Sequence, residues 1–311
     1  MKFYTNTSQD KHVPVSDLET KERLRDIIPY LYTKGVLTPV STQNYETLLE
    51  GLPEGDKTYL ENVLLKIGQT KFRYNISELP ITPFGYFNEM NETSVHGETK
   101  MVLENMLSTI SVALEQNVYL RDLAEDFMLV TRPPGHHSST NSVEGFCYLN
   151  WTYLISQYLR NLRPNNKVCI LDLDLHHGNG TEILAKNREN TMFMDFHYWD
   201  GGFYPGTGNE KQFVAPNIFN VNMPKRSKDE HYLKRFSKEI EHIKKFNPNY
   251  IVMSMGCDIV DGDDFDVMRC SHKLYKQVYD ILKKNFNVSI AIVLEGGYNT
   301  DNVTNSIKMF V

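Results

Sequence analysis

Six stretches of the chain are short, almost continuously apolar and bounded by polar or turn residues. They are "FMLVT" from Phe127, "KVCILDLD" from Lys167, "TMFMDF" from Thr191, "NIFNVNM" from Asn217, "YIVMSM" from Tyr250 and "SIAIVLE" from Ser289. Runs this short and this uniformly apolar predict strands buried on both faces. Segments of helical period lie between them, such as "DEHYLKRFSKEIEHIKKF" from Asp229 and "SHKLYKQVYDILKKNF" from Ser271. Upstream, "GETKMVLENMLSTISVALEQ" from Gly97 predicts another helix. "LETKERLRDIIPYLYTKG" from Leu18 predicts an early one, with Leu24, Ile27, Ile28 and Leu31 as its apolar positions and Gly35 as its stop. Pro29 is expected to kink or restart that helix. Strand–helix alternation of this kind predicts an α/β fold with a mostly parallel central sheet and helices on both faces. No internal repeat and no Pro/Gly/Ser linker interrupts it, so residues 1–311 are expected to form a single domain.

In such sheets ligands bind beyond the carboxyl ends of the strands. "FMLVT" is followed by "RPPGHH", with His136 and His137, and "KVCILDLD" runs into Asp172, Asp174, His176 and His177. His197 follows "TMFMDF", Asp258 follows "YIVMSM", and Tyr298 follows "SIAIVL". The unusual polar residues therefore collect at one sheet edge. Side chains alternate along a strand, so Asp172, Asp174 and His176 point to one side and His177 to the other. Alone, this tip reads equally well as a solvated loop end. With Asp258 arriving from another strand end, Asp174, His176 and Asp258 read as ligands of one metal ion. Two carboxylates and one imidazole leave a fourth position open for water, as catalytic zinc requires. His136 and His137 on their own could be surface residues; beside a metal they are candidates for proton transfer. Asp172 could orient one of them and Asn179 could reach the other.

Composition narrows this picture without redirecting it. Hydrophobic residues make up 41% of the 311 residues, enough for a sizeable core. The formal net charge of -6 gives no global basic field, so no direct nucleic-acid binding is expected. No apolar run approaches the ~20 residues of a membrane span, and the polar start "MKFYTNTSQDKH" lacks the apolar core of a secretory signal. Cys147, Cys169, Cys257 and Cys270 form no C-x-x-C pair and sit in or beside apolar segments. Free buried thiols fit a reducing, intracellular setting, cytoplasmic or nuclear.

The motifs "RPPGHH", "GFCYLN", "DLDLHHGNG", "GFYPGTG", "GCDIVDGD" and "LEGGYN", between Arg132 and Asn299, resemble those of the zinc-dependent histone deacetylases and acetylpolyamine amidohydrolases. They occur in family order. The opening "KHVP...ETKERLRDIIPYLYTKGVL" resembles the family's N-terminal helix more loosely. The resemblance implies an arginase-like fold and an amide hydrolase that removes acetyl from an amine. It implies that Asp174, His176 and Asp258 bind Zn²⁺. His137 matches the general base that then serves as acid for the leaving amine. His136 matches the electrostatic partner, with Asp172 behind it, and Tyr298 the phenol that polarises the acetyl carbonyl. Zinc as Lewis acid and a second oxyanion donor are the chemistry such a reaction needs. Gly145, Phe146 and Tyr204 fall in the family's substrate channel, where aromatic walls suit a slender chain ending in an acetamide. Asn179 is the variant of the second class and of the polyamine enzymes.

Some positions depart from the pattern. Tyr204 stands where Phe is commoner, and Asp264 where proline is usual. Asp195 replaces a serine that helps bind a structural K⁺; the carbonyls of Asp172, Asp174 and His176 could still support that ion. The chain stops at Val311, soon after "LEGGYN", so the last helix is expected to be short.

Polyamine-selective members carry a glutamate seven residues after the last zinc Asp. Here that residue is Phe265. An apolar side chain cannot pair with an internal ammonium, so acetyl-lysine in a protein or peptide is the expected substrate and acetylpolyamine the alternative. Asp261, Asp263, Asp264 and Asp266 could make a cation-attracting rim, or simply a solvated loop. A catalytically inactive acetyl-lysine-binding module is disfavoured by the complete set of ligands, histidines and tyrosine. A two-manganese ureohydrolase needs further carboxylate ligands.

Overall fold

Each of the six apolar runs forms a strand, and all but the edge strand at Ile218–Met223 are buried over most of their length. The computed structural model describes residues 1–12, 17–69, 98–118, 125–140 and 142–311. Two further strands precede those six: β1 (Lys2–Asn6) and β2 (Leu37–Val40). The six are β3 (Phe127–Leu129), β4 (Val168–Leu173), β5 (Thr191–Tyr198), β6 (Ile218–Met223), β7 (Tyr250–Met255) and β8 (Ser289–Leu294). They make one eight-stranded sheet in the order β2-β1-β3-β8-β7-β4-β5-β6. Every pairing is parallel.

Strand alternation divides the core into two layers. In β4, Val168 and Ile170 face one side, packed with Trp151 and Leu154 of α5 (Trp151–Asn161) and Leu103, Leu107 and Ile110 of α4 (Thr99–Asn117). Cys169, Leu171 and Leu173 face the other side. There they meet Phe236 and Ile240 of α7 (Asp229–Phe246), Val278 and Leu282 of α8 (Lys273–Asn285), and Val303 and Ile307 of α9 (Thr300–Lys308). All six residues of β4 are buried, and truncating one such leucine typically costs about 2–5 kcal/mol. Two further helices, α2 (Glu46–Gly51) and α3 (Glu54–Gln69), cover the α4–α5 side, and α6 (Asn179–Ala185) follows β4.

The predicted early helix is divided. A 3-10 turn at Lys21–Leu24 precedes α1 (Ile27–Thr33), so Pro29 falls in a first turn whose N–H groups need no intrahelical partner. Gly35 ends it with φ +66°. Val13 and Pro14 of the opening stretch, and Gly97 before α4, lie outside the described residues. The last helix, α9, has nine residues.

Register sets the site. Leu173 of β4 pairs with Met255 of β7, and Met255 with Leu294 of β8. Three neighbouring strands therefore end level, and the segments leaving them begin side by side. β3 lies next to β8, which brings the "RPPGHH" segment to the same edge.

Candidate active site

Asp174, His176 and Asp258 each offer one ligand atom, and these atoms lie within 4.8 Å of one another. All three side chains are buried. Backbone donors orient the carboxylates: Gly296 N–H donates to Asp174 Oδ2 at 2.8 Å and Leu175 N–H to Asp258 Oδ1 at 3.0 Å. The remaining oxygens turn to His176 Nδ1, 3.2 Å from Asp174 Oδ1 and 3.0 Å from Asp258 Oδ2. Gly256 and Gly296 make room, since a Cβ on Gly256 would collide with Asp174 Oδ2 and one on Gly296 with Asp258 Oδ2.

The charges here are set out for a cation. Burial pushes the Asp258 carboxyl above the usual carboxylate range, and the Asp174 charge adds to it. Burial also opposes a charged His176, yet hydrogen bonds to Asp174 and Asp258 hold it up at about 9. A divalent ion among the three would relieve the repulsion between the carboxylates. The group could hold a metal, with the outer hydrogen bonds that fix such ligands already in place.

The two histidines of "RPPGHH" sit beside it in different settings. His136 Nδ1 donates to Asp172 Oδ2 at 3.2 Å, and its Nε2 lies 3.8 Å from Asp174 Oδ1. Burial pulls its pKa down, but the charges of Asp174 and Asp172 outweigh this and hold it well above the ordinary histidine value. His137 Nδ1 lies 2.7 Å from Asn179 Oδ1. Burial lowers its pKa well below the ordinary value, with the charges of His136 and His176 adding to the effect. The two ring centres are 4.0 Å apart, and their surroundings shift the two pKa values in opposite directions. Buried Glu295 accepts from the N–H groups of Gly135 at 2.7 Å and His136 at 3.1 Å, tying the end of β8 to this segment.

Above them opens a cavity of about 220 Å³ lined by Leu18, His137, Gly145, Phe146, His176, Tyr204, Phe265 and Tyr298. The sequence-predicted channel residues are thus all present, and no carboxylate lines it among the described residues. Phe265 stands edge-on to His176 at 4.7 Å and to Tyr298 at 5.3 Å. Phe146 meets Tyr298 at 5.8 Å and Tyr204 meets His137 at 5.0 Å. Gly145 has φ +56°, and a Cβ there would collide with the His137 ring. Burial pushes the Tyr298 phenol well above its ordinary pKa, although Arg23 opposes this, so it keeps its proton.

Several residues at the site carry no obvious sequence signal. Leu18 is a lone leucine in a polar stretch. Arg23 and Glu19 read as part of a surface helix. Yet Arg23 Nε donates to Gly297 O at 2.6 Å, and its guanidinium lies 5.2 Å from the centre of the Tyr298 ring. Asp263 corrects the reading of an acidic rim. It is 3% exposed, and its Oδ2 accepts the N–H groups of Tyr298 at 2.8 Å and Asn299 at 3.1 Å. Asp261 and Asp266 instead form ion pairs with Arg269, at 3.1 and 2.6 Å. Asp195 is also engaged: Gly178 N–H donates to its Oδ2 at 2.8 Å, and His197 Nδ1 lies 3.0 Å from Oδ1. His177 turns away from the metal group, towards Thr207 at 2.7 Å and Glu182 at 3.2 Å.

A histone deacetylase domain model matches residues 22–311. Histone deacetylase 6 of Caenorhabditis elegans is 27% identical over 98% of this chain and 33% of its own length. An acetylpolyamine amidohydrolase of Burkholderia pseudomallei is 28% identical over 64% of this chain and 59% of its own. A crystal structure of acetylpolyamine aminohydrolase from the same bacterium superposes with a TM-score of 0.79 at 20% identity, covering 100% of this chain and 97% of that one. The chain spans a third or less of the longer curated histone deacetylases that it matches. Among the described residues, no helix is long and apolar enough to cross a membrane.

Proposed function

The chain belongs to the histone deacetylase family, and from that premise we propose that it hydrolyses the acetamide of N6-acetyl-lysine in proteins or peptides, releasing acetate and free lysine. Zinc is the ion this reading assigns to Asp174, His176 and Asp258, the donor set of a catalytic rather than a structural site. Bound there, it would supply Lewis acidity towards the acetyl carbonyl and towards water.

The protein's own groups would do the rest. His137, with Nδ1 turned to Asn179, offers Nε2 to take a proton from the attacking water and return it to the lysine nitrogen as the C–N bond breaks. His136, whose pKa the charges of Asp174 and Asp172 raise, would stabilise negative charge as it develops. Tyr298 donates its phenolic proton in a hydrogen bond to the forming oxyanion. The Asp263 and Arg23 contacts hold the Tyr298 loop in position.

The single observation that carries the substrate class is the cavity lining. Aromatic rings make up much of its wall, and among the described residues no acid lines it to pair with an internal ammonium. A lysine stem is uncharged along its whole length, whereas an acetylpolyamine carries a secondary ammonium, and an unpaired buried charge costs several kcal/mol. One observation favours the second reading, acetylpolyamine hydrolysis: the Tyr298 ring has the rings of Phe146 and Phe265 within 6 Å of it, and ring faces attract cations. Values of kcat/KM for acetyl-lysine peptides against N-acetylated polyamines, on zinc-loaded protein, separate the two. Peptides are expected to be the better substrates. A polyamine turned over faster than every peptide tried would reverse the assignment.

A further inference from the structure

The geometry around His137 points to a residue that neither the motifs nor the family resemblance singled out: we propose that Glu144 is a positioning residue that fixes the tautomer of His137 through Asn179. The inference rests on the reading of His137 as the base. Asn179 Nδ2 donates to Glu144 Oε1 at 2.5 Å, while Asn179 Oδ1 lies 2.7 Å from His137 Nδ1. Ser142 Oγ donates to the same Glu144 oxygen at 3.4 Å. The chain is turned to bring this carboxylate in. Gly145 and Phe146 both have positive φ, +56° and +67°, and Cys147 N–H donates to Glu144 O at 2.9 Å.

The two ends of an amide group are nearly the same shape but opposite in hydrogen bonding. Asn179 could therefore present either oxygen or NH₂ to His137. If it presented NH₂, Nδ1 would have to accept and Nε2 would carry the proton. The base would then be protonated on the atom that must receive one. A carboxylate only accepts, so Glu144 holds the NH₂ end. That leaves oxygen for His137, keeps the proton on Nδ1 and leaves Nε2 open. An amide between His137 and the Glu144 carboxylate thus orients the ring through hydrogen bonds alone.

The test uses zinc-loaded protein labelled with ¹⁵N-histidine, with the His137 resonances read by NMR alongside kcat and KM. Wild type should show Nδ1–H. Glu144→Ala should show a population of Nε2–H and lose about tenfold in kcat, the scale typical of such outer-shell partners, with KM unchanged. Glu144→Gln, whose carbonyl can still accept from Asn179, should recover most of the activity. In an Asn179→Asp background the sign should reverse. There the introduced carboxylate accepts from Nδ1 directly and crowds that of Glu144, so adding Glu144→Ala should raise kcat. An unchanged tautomer in Glu144→Ala, or the same loss of kcat in both backgrounds, would overturn the proposal. Absence of acetamide hydrolysis by the wild type would instead count against the deacetylase reading, and the tautomer measurement stands apart from it.

Discussion

Glu19→Gln removes the charge at the centre of a fully buried cluster and keeps its shape. Both carboxylate oxygens accept from Arg132, at 2.8 and 2.7 Å. Arg23 Nη1 donates to Oε1 at 3.1 Å, and His12 Nε2 lies 3.3 Å from Oε2. Glu19 and Arg132 are 0% exposed and Arg23 is 1% exposed. Burial alone would raise the carboxyl pKa; Arg132 and His12 outweigh it and hold Glu19 at about 2 instead of 4.5. That lowering corresponds to about 3 kcal/mol of native-state stability at pH 7. The same magnitude follows independently from breaking one side of a buried pair, about 3–5 kcal/mol. Because the folded-state pKa lies below the unfolded one, the contribution is complete above pH 4.5 and fades as pH falls towards 2. Urea unfolding of wild type and Glu19→Gln, in a series from pH 7 to pH 3, should show a gap of about 3 kcal/mol that shrinks on acidification to less than half by about pH 3. A gap under about 1 kcal/mol at pH 7, or one that does not change with pH, would show that the Glu19 charge does not stabilise the fold. The cluster also bears on the site, since the Arg23 that Glu19 holds is bonded to Gly297 O beside Tyr298.

Tyr298→Phe should lower kcat by about 10²–10³ while zinc stays bound, because one donor to the oxyanion is lost; near wild-type kcat would reduce Tyr298 to packing. Phe265→Glu should move selectivity towards acetylpolyamines, because a carboxylate at the cavity wall can pair with their internal ammonium. Competition assays with a peptide and a polyamine read that shift directly, and an unchanged ratio would show that Phe265 does not select the substrate.

The sheet was legible in the sequence where its strands are buried on both faces, as β4 is throughout. β1 and β2 were not: "KFYTN" and "LTPV" are short, and β2 lies at the sheet edge with half-buried and exposed positions. α5 also escaped, although Thr152, Ser156, Gln157 and Arg160 recur in it at helical spacing; its start at Asn150 lies inside a motif read for its chemistry. The metal group and the two histidines were legible because charge at the tip of a core strand has few structural uses. Glu19 was not, because its partner Arg132 lies 113 residues away and a buried ion pair is spelled with the same letters as a solvated one. Asp263 hid likewise among exposed aspartates, although its carboxylate holds the backbone of the tyrosine loop.

In the proposed mechanism one ion held by Asp174, His176 and Asp258 drives acetamide hydrolysis. The most direct test is bound zinc and acetate release measured together, on an acetyl-lysine peptide, for wild type and Asp258→Ala. Wild type is predicted to hold about one zinc per chain and to release acetate, and the variant to lose both. Full zinc occupancy and undiminished acetate release in Asp258→Ala would exclude Asp258 as a ligand of a catalytic ion.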